Sequence, residues 1–200
     1  QANKINYMRN SVKAVVDAYD GSVRLFRWDD QDPILRTWEK IYPGSVEPMS
    51  AISGDLMSHL RYPEDMFKVQ RNLLATYHVT DAAGFYSGGD RWRLAEETST
   101  YGDATASSAP STGVDANGNR VSAPTALQPP YYLTMQMPGQ ESAEFSLTSV
   151  FVPGGGGEGR REAMAGFLAV DSETGNTPGQ VREGYGKLRL LALPSSTTVP

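Results

Sequence analysis

Two histidines, no cysteine and a handful of clustered carboxylates set the limits on what chemistry this chain can perform. Absent cysteine removes disulfides, thiolate nucleophiles and cysteine metal sites together. A Ser–His–Asp relay needs an imidazole beside a serine, yet neither a G-x-S-x-G elbow nor an H-E-x-x-H zinc pair occurs around His59 or His78. Both histidines fall on expected helices. His78 sits in a last turn, where an imidazole can face carbonyl dipoles, so capping and packing outweigh catalysis. The acidic run Asp29, Asp30 and Asp32 offers oxygen ligands of the kind a hard cation takes. It lacks the spacing, central glycine and closing glutamate of a calcium loop, and Asp32 before Pro33 reads better as a helix cap. Glu64 and Asp65 are the carboxylates that a hydrolase would use, but consecutive helical residues point about 100° apart and do not converge unaided. The glycine-rich stretch from Gly154 to Arg161 resembles a phosphate cradle, except that no Lys-Ser/Thr pair and no helix follow it. It reads as a connection between antiparallel strands, with Arg160 and Arg161 solvated. No metal or other cofactor is expected.

Aromatic side chains remain. Phe85-Tyr86-Ser87-Gly88-Gly89 and Pro129-Pro130-Tyr131-Tyr132 lie on expected loops, where rings provide large contact area with few rotatable bonds. Phe85, Tyr86, Tyr131 and Tyr132 are therefore the candidate ligand-binding residues. The competing account is structural: the two prolines steer the chain into a strand and the tyrosines pack inward. Trp38, on a helical stripe, and Trp28 are expected in the core.

The elements that would position these groups follow from periodicity. Asn6 to Asp20 reads as an amphipathic helix, with Val12, Val15, Val16 and Tyr19 at helical spacing and Gly21 as its stop. Ser22 to Trp28 is an expected strand. A helix then starts at Asp32-Pro33 and buries Ile34, Leu35, Trp38 and Ile41, ending at Pro43-Gly44. A short helix spans Gly54 to Leu60. Pro63-Glu64-Asp65 opens the strongest helix, since carboxylates favour its positive end. Its stripe of Met66, Val69, Gln70, Leu73 and Tyr77, widened by Phe67 and Leu74, is expected to face the core, so that Leu73→Ala would cost about 2–5 kcal/mol.

From Gly102 to Ala126 the only bulky apolar residues are Val114 and Val121. Such a segment buries too little surface to offset its ordering entropy, and an irregular, mobile loop that tolerates deletion is expected. Beyond it, Tyr131–Met137, Glu144–Val152, Ala163–Val170 and Lys187–Leu193 read as strands bounded by glycine or proline. Helices first and strands second make the expected fold α+β, N-terminal helices packed on a mostly antiparallel β-sheet in one domain over residues 1–200.

Composition agrees. The chain has 200 residues and a formal charge of −5 from 18 basic and 23 acidic residues, which argues against nucleic-acid binding. Glycine (20) and proline (13) together make about one residue in six, a loop-rich composition rather than that of a helical bundle. No apolar run approaches the ~18 residues that cross a bilayer.

Several long segments resemble the bacterial family catalogued as uncharacterised protein family 0182. They are Asn6 to Gly21, Leu60 to Gln70, Tyr77 to Thr80, Phe85-Tyr86, Pro129 to Met135 and Tyr185 to Leu188. The likeness covers most of the chain outside Glu96 to Leu127 and the glycine-rich stretch. That family looks like multi-pass membrane proteins, with hydrophobic helices followed by a large extracytoplasmic region. The resemblance therefore implies a soluble extracytoplasmic part of a cell-membrane protein, held to the membrane by transmembrane helices absent from this chain. Gln1-Ala2 without a signal peptide agrees with such an excised part. The resemblance carries no site residues with it. Two functions follow as expectations: an interaction or sensing domain for an envelope protein or glycan, or an envelope hydrolase acting on cell-wall glycan or peptide.

Overall fold

Residues 7–95, 112–114, 120–122, 127–154 and 164–193 are described in the computed structural model. The first element corrects the sequence reading. Val12–Val16 is a strand, β1, paired antiparallel with β2, Val23–Arg27. Valines at 12, 15 and 16 satisfy helical spacing, but β-branched side chains lose rotamer freedom in a helix and fit a pleat. The turn chemistry decides for the hairpin. Asp17 and Asp20 accept the backbone N–H of Tyr19 and Ser22 at 2.7 and 2.8 Å, and Gly21 takes φ +73°, closing a turn rather than ending a helix. Lys13 pairs across from Phe26, and Val15 and Trp28 join Phe26 on the inner face. Val12, Ala14 and Val16 share the outer face with Val23 and Leu25.

Helix α1, Pro33–Ile41, begins as expected. The Asp32 carboxylate accepts from Ile34 N–H at 2.9 Å and from the hydroxyls of Ser11 and Tyr7. Its stripe does not bury. Leu35 is the buried residue, whereas Ile34, Trp38 and Ile41 are about half exposed at 49%, 53% and 56%. Trp38 instead stacks on Tyr42 with ring centroids 5.7 Å apart, so the expectation of a core tryptophan fails here. Trp28 is half-buried.

A 3-10 turn at Met49–Ala51 precedes α2, Gly54–His59, capped by the Ser53 hydroxyl. Helix α3, Glu64–Tyr77, follows. Phe67, Arg71 and Ala75 are its buried residues at i, i+4 and i+8, while Val69, Leu73 and Tyr77 are exposed. Arg71 can be buried because its guanidinium donates to the Gln128 carbonyl at 2.9 Å and the Ser149 hydroxyl at 3.2 Å. A pattern that counts arginine as solvent-facing selects the neighbouring face instead. Helix α4, Ala82–Ser87, is capped by Asp81 and ends at Gly88 in the left-handed region.

The remaining strands are β3 (Trp92–Leu94), β4 (Thr112–Val114), β5 (Arg120–Ser122), β6 (Tyr131–Met135), β7 (Glu144–Pro153), β8 (Gly166–Asp171) and β9 (Leu188–Ala192). One five-stranded sheet runs β3-β7-β8-β9, with β6 also paired to β7. The fold class is α+β, as expected, although two strands precede the first helix. Within the segment read as an irregular loop, β4 and β5 pair antiparallel with Thr112 opposite Ser122. Its other residues, and those of the glycine-rich stretch after Gly154, lie outside the described residues.

Contacts divide the chain into two compact units, residues 1–70, 132–147 and 170–188, and residues 71–131, 148–169 and 189–200. In the first, Phe26, Ile52 and Met57 form the core, with Val15, Trp28, Met49, Leu56 and Leu60 packed on it. The segment after β8 closes tightly over this core: a side chain at Gly179 would meet the Ser50 backbone. In the second unit Leu94 lies opposite Phe151, and the Trp92 ring contacts His78 at 3.5 Å and Phe151 at 5.3 Å.

Candidate aromatic surfaces and a half-buried lysine

Phe85 and Tyr86 stand on α4 rather than on a loop. Their rings meet edge to face at 5.9 Å, and Phe85 stacks on Tyr77 at 5.8 Å. Tyr86 is 88% exposed. The three rings make a short aromatic run that ends in solvent. Tyr131 and Tyr132 open β6, so successive side chains turn to opposite faces. Both are partly exposed. The Tyr131 carbonyl accepts from the Thr148 hydroxyl at 2.8 Å, and the Tyr132 ring lies parallel to Phe145 at 5.1 Å, on which the Arg61 guanidinium also rests.

Groups of more conventional chemistry are occupied structurally. Asp32 is buried as the α1 cap, and the Ser11 hydroxyl first, then the Ile34 N–H and Tyr7 hydroxyl, hold its carboxyl below the ordinary value. Asp29 pairs with Arg9. Glu64 and Asp65 both reach Lys68, at 2.7 and 3.4 Å. The His78 imidazole stacks on Trp92, and its Nδ1 lies 2.9 Å from the Leu74 carbonyl, which fits a proton donated from that nitrogen. His59 ends α2 in an exposed position. Among the described residues, no three or more His, Asp or Glu side chains are placed to hold a metal ion.

One cluster has no counterpart in the sequence reading. On the inner face of the β1–β2 hairpin, Lys13 Nζ lies 4.8 Å from the Trp28 ring centroid and donates to the Arg61 carbonyl at 3.3 Å. Tyr185 meets Trp28 edge to face at 5.7 Å, stands 5.9 Å from Tyr62, and donates its hydroxyl to the same carbonyl at 3.4 Å. Burial pushes the hydroxyls of Tyr185 and Tyr62 up from their ordinary value. It pushes the Lys13 ammonium down to about 8.

The profile of the uncharacterised protein family UPF0182 matches residues 1–200. The chain belongs to that family. It is 53% identical over 196 residues to a UPF0182 protein of Leifsonia xyli subsp. xyli, covering 98% of this chain and 18% of the relative. Likeness to a UPF0182 protein of Clavibacter sepedonicus is 52% over 198 residues, 99% of this chain and 19% of the relative. A Tropheryma whipplei UPF0182 protein is 48% identical over 201 residues, 100% of this chain and 20% of the relative. The chain thus spans about a fifth of the length of these curated relatives. No solved structure matches it.

In this UPF0182 chain, Lys13 gives stability a pH dependence of definite sign. Its amine is lowered from 10.5 in the unfolded chain to about 8 in the fold. Between those values the unfolded chain binds more protons, so stability rises with pH across that window. Below it the fold carries the full penalty of a buried ammonium. Lys13→Met should therefore melt higher than the parent at about pH 7, and the gap should close towards about pH 10 as the parent gains stability. Melting curves across that range decide it; a parallel offset at every pH would contradict the assignment.

Proposed function

We propose that this chain is the extracytoplasmic recognition domain of a bacterial multi-pass membrane protein, engaging an envelope protein or glycan rather than performing catalysis. The observation that carries the recognition half is the Tyr77–Phe85–Tyr86 run, which ends in a fully presented tyrosine on a short capped helix. Rings held by neighbouring rings give contact area at little entropic cost, and a terminal hydroxyl can orient a sugar or peptide. Tyr131 and Tyr132 supply a second exposed pair of the same character. The membrane half rests on what the family resemblance implies, and the matched relatives are about five times as long as this chain. Among the described residues, no helix is long and apolar enough to cross a membrane, so anchoring would come from elsewhere in the longer protein.

Two experiments separate the halves. Protease added outside intact cells that express the full-length protein should cleave within this region; protection until the membrane is breached overturns the topology. For recognition, Tyr86→Ala should leave the melting temperature of the 200-residue chain within the scatter of surface substitutions, about 0.5 kcal/mol. The same change should reduce co-sedimentation with isolated cell-wall glycan or capture of an envelope protein several-fold. Unchanged binding in both assays would remove the α4 surface from the proposal.

A further inference from the structure

We propose that Lys13 is a covalent modification site, a nucleophilic amine that accepts acyl groups from small activated esters while the other described lysines do not. The reading starts from placement. Lys13 lies on the buried side of a hairpin, opposite Phe26, with its Nζ directed at the Trp28 ring and a single carbonyl oxygen. Among the described residues no carboxylate pairs with it. Among the described residues, the titratable groups that share its contacts are neutral or cationic near neutral pH. Tyr62 and Tyr185 are hydroxyls held in their neutral form by burial. The Arg61 guanidinium is turned to the Ser58 and Leu60 carbonyls and to the Phe145 ring. Arg24, further along the same hairpin face, lies over Phe26 and pairs with Glu47. An ammonium stripped of part of its water and given no counter-charge is disfavoured. One cation–π contact at a partly exposed site restores only a small part of that loss.

The other described lysines have opposite surroundings. Lys68 sits between Glu64 and Asp65, which raise its affinity for the proton. Lys40 and Lys187 are exposed to water. With Lys13 titrating near 8, roughly a quarter of it is free amine at about pH 7.5, against about one part in a thousand for an ordinary lysine. The Lys13 residue is only partly buried, and acylation requires that a small reagent reach its Nζ. The step itself is simple. The amine lone pair attacks the ester carbonyl carbon, a C–N bond forms, the C–O bond to the leaving alkoxide or aryloxide breaks with its electron pair, and the ammonium proton passes to water. The product amide is uncharged, so it also ends the burial penalty of the cation.

The test uses p-nitrophenyl acetate at trace level on the intact 200-residue chain, with peptide mass spectrometry across about pH 6 to about pH 10. Lys13 should be acetylated at least tenfold faster than Lys40 and Lys187 near pH 7.5, with a rate midpoint near pH 8. That advantage should vanish in denaturant, and Lys13→Arg should remove the fast-labelled peptide. A midpoint near pH 10, labelling no faster than Lys40, or an advantage that persists in the unfolded chain would each overturn the proposal.

Discussion

Phe26→Ala should cost about 3–5 kcal/mol, the ordinary price of removing a wholly buried ring. The Phe26 side chain has no exposure and stands at the centre of a core with Ile52 and Met57, while Val15, Trp28 and Leu60 close around it. Its backbone is fixed on two sides. Residue 26 pairs with Lys13 on β1 and forms a parallel bridge to Glu47, whose N–H and carbonyl bond Leu25 and Arg27 at 2.8 Å. A cavity left there has little freedom to collapse. Leu73→Ala makes the internal comparison. That side chain is 53% exposed on α3, so its truncation should cost less than about 1 kcal/mol, well below the loss its helical spacing suggests. Urea titrations of the two variants should differ by several-fold in lost stability. Equal losses would mean that the core has been misplaced.

Gly179→Ala should be a strongly damaging single methyl group in the first unit. An added Cβ would come 2.5 Å from Ser50 Cα and 2.9 Å from the Met49 carbonyl oxygen, both backbone atoms that cannot rotate away. The residue also holds φ +61°, which costs an L-alanine about 1–2 kcal/mol. Overpacking adds about 1–3 kcal/mol, so about 2–5 kcal/mol is expected in all. Gly44 separates the two contributions. It has φ +79° with nothing within 4 Å of its would-be Cβ, so Gly44→Ala should show the backbone cost alone. If both alanine variants lose the same stability, the segment after β8 does not close over the 3-10 turn as described.

Much of the architecture was legible because some residues permit one reading. β7 and β8 are buried over most of their length and bounded by glycine or proline, and near-continuous apolar or small-residue runs of that size suit strands covered on both faces. Asp32-Pro33 and Glu64-Asp65 mark helix starts through capping and dipole chemistry, which acts locally. Val12, Val15 and Val16 were misread because spacing of three and four satisfies a helix while their branched side chains favour a strand. The stripes of α1 and α3 were misplaced for another reason. Which side of a helix faces inward depends on partners such as Gln128 and Ser149 for Arg71, and a pattern of apolar positions does not contain them. The lysine cluster was invisible for the same cause. It needs residues 13, 28, 61, 62 and 185 brought to one place, and nothing local in the sequence joins them.

The β1–β2 hairpin has a consequence for how the chain finds its fold. Alternation normally protects strand register, because a slip of one residue turns the apolar set outward. Here Val12, Ala14 and Val16 face away from the core beside Val23 and Leu25, so a slipped pairing would still present an apolar face inward, and it would release Lys13 to water. Hydrophobicity alone is thus a weak proofreader of this ladder. Fidelity must come from the turn, where two aspartates hold the backbone and Gly21 takes the left-handed conformation, and from Ser11 and Asp32, whose buried hydrogen bond ties the far end. Correct alignment is written in the hairpin's two polar ends, and its valines are indifferent to it.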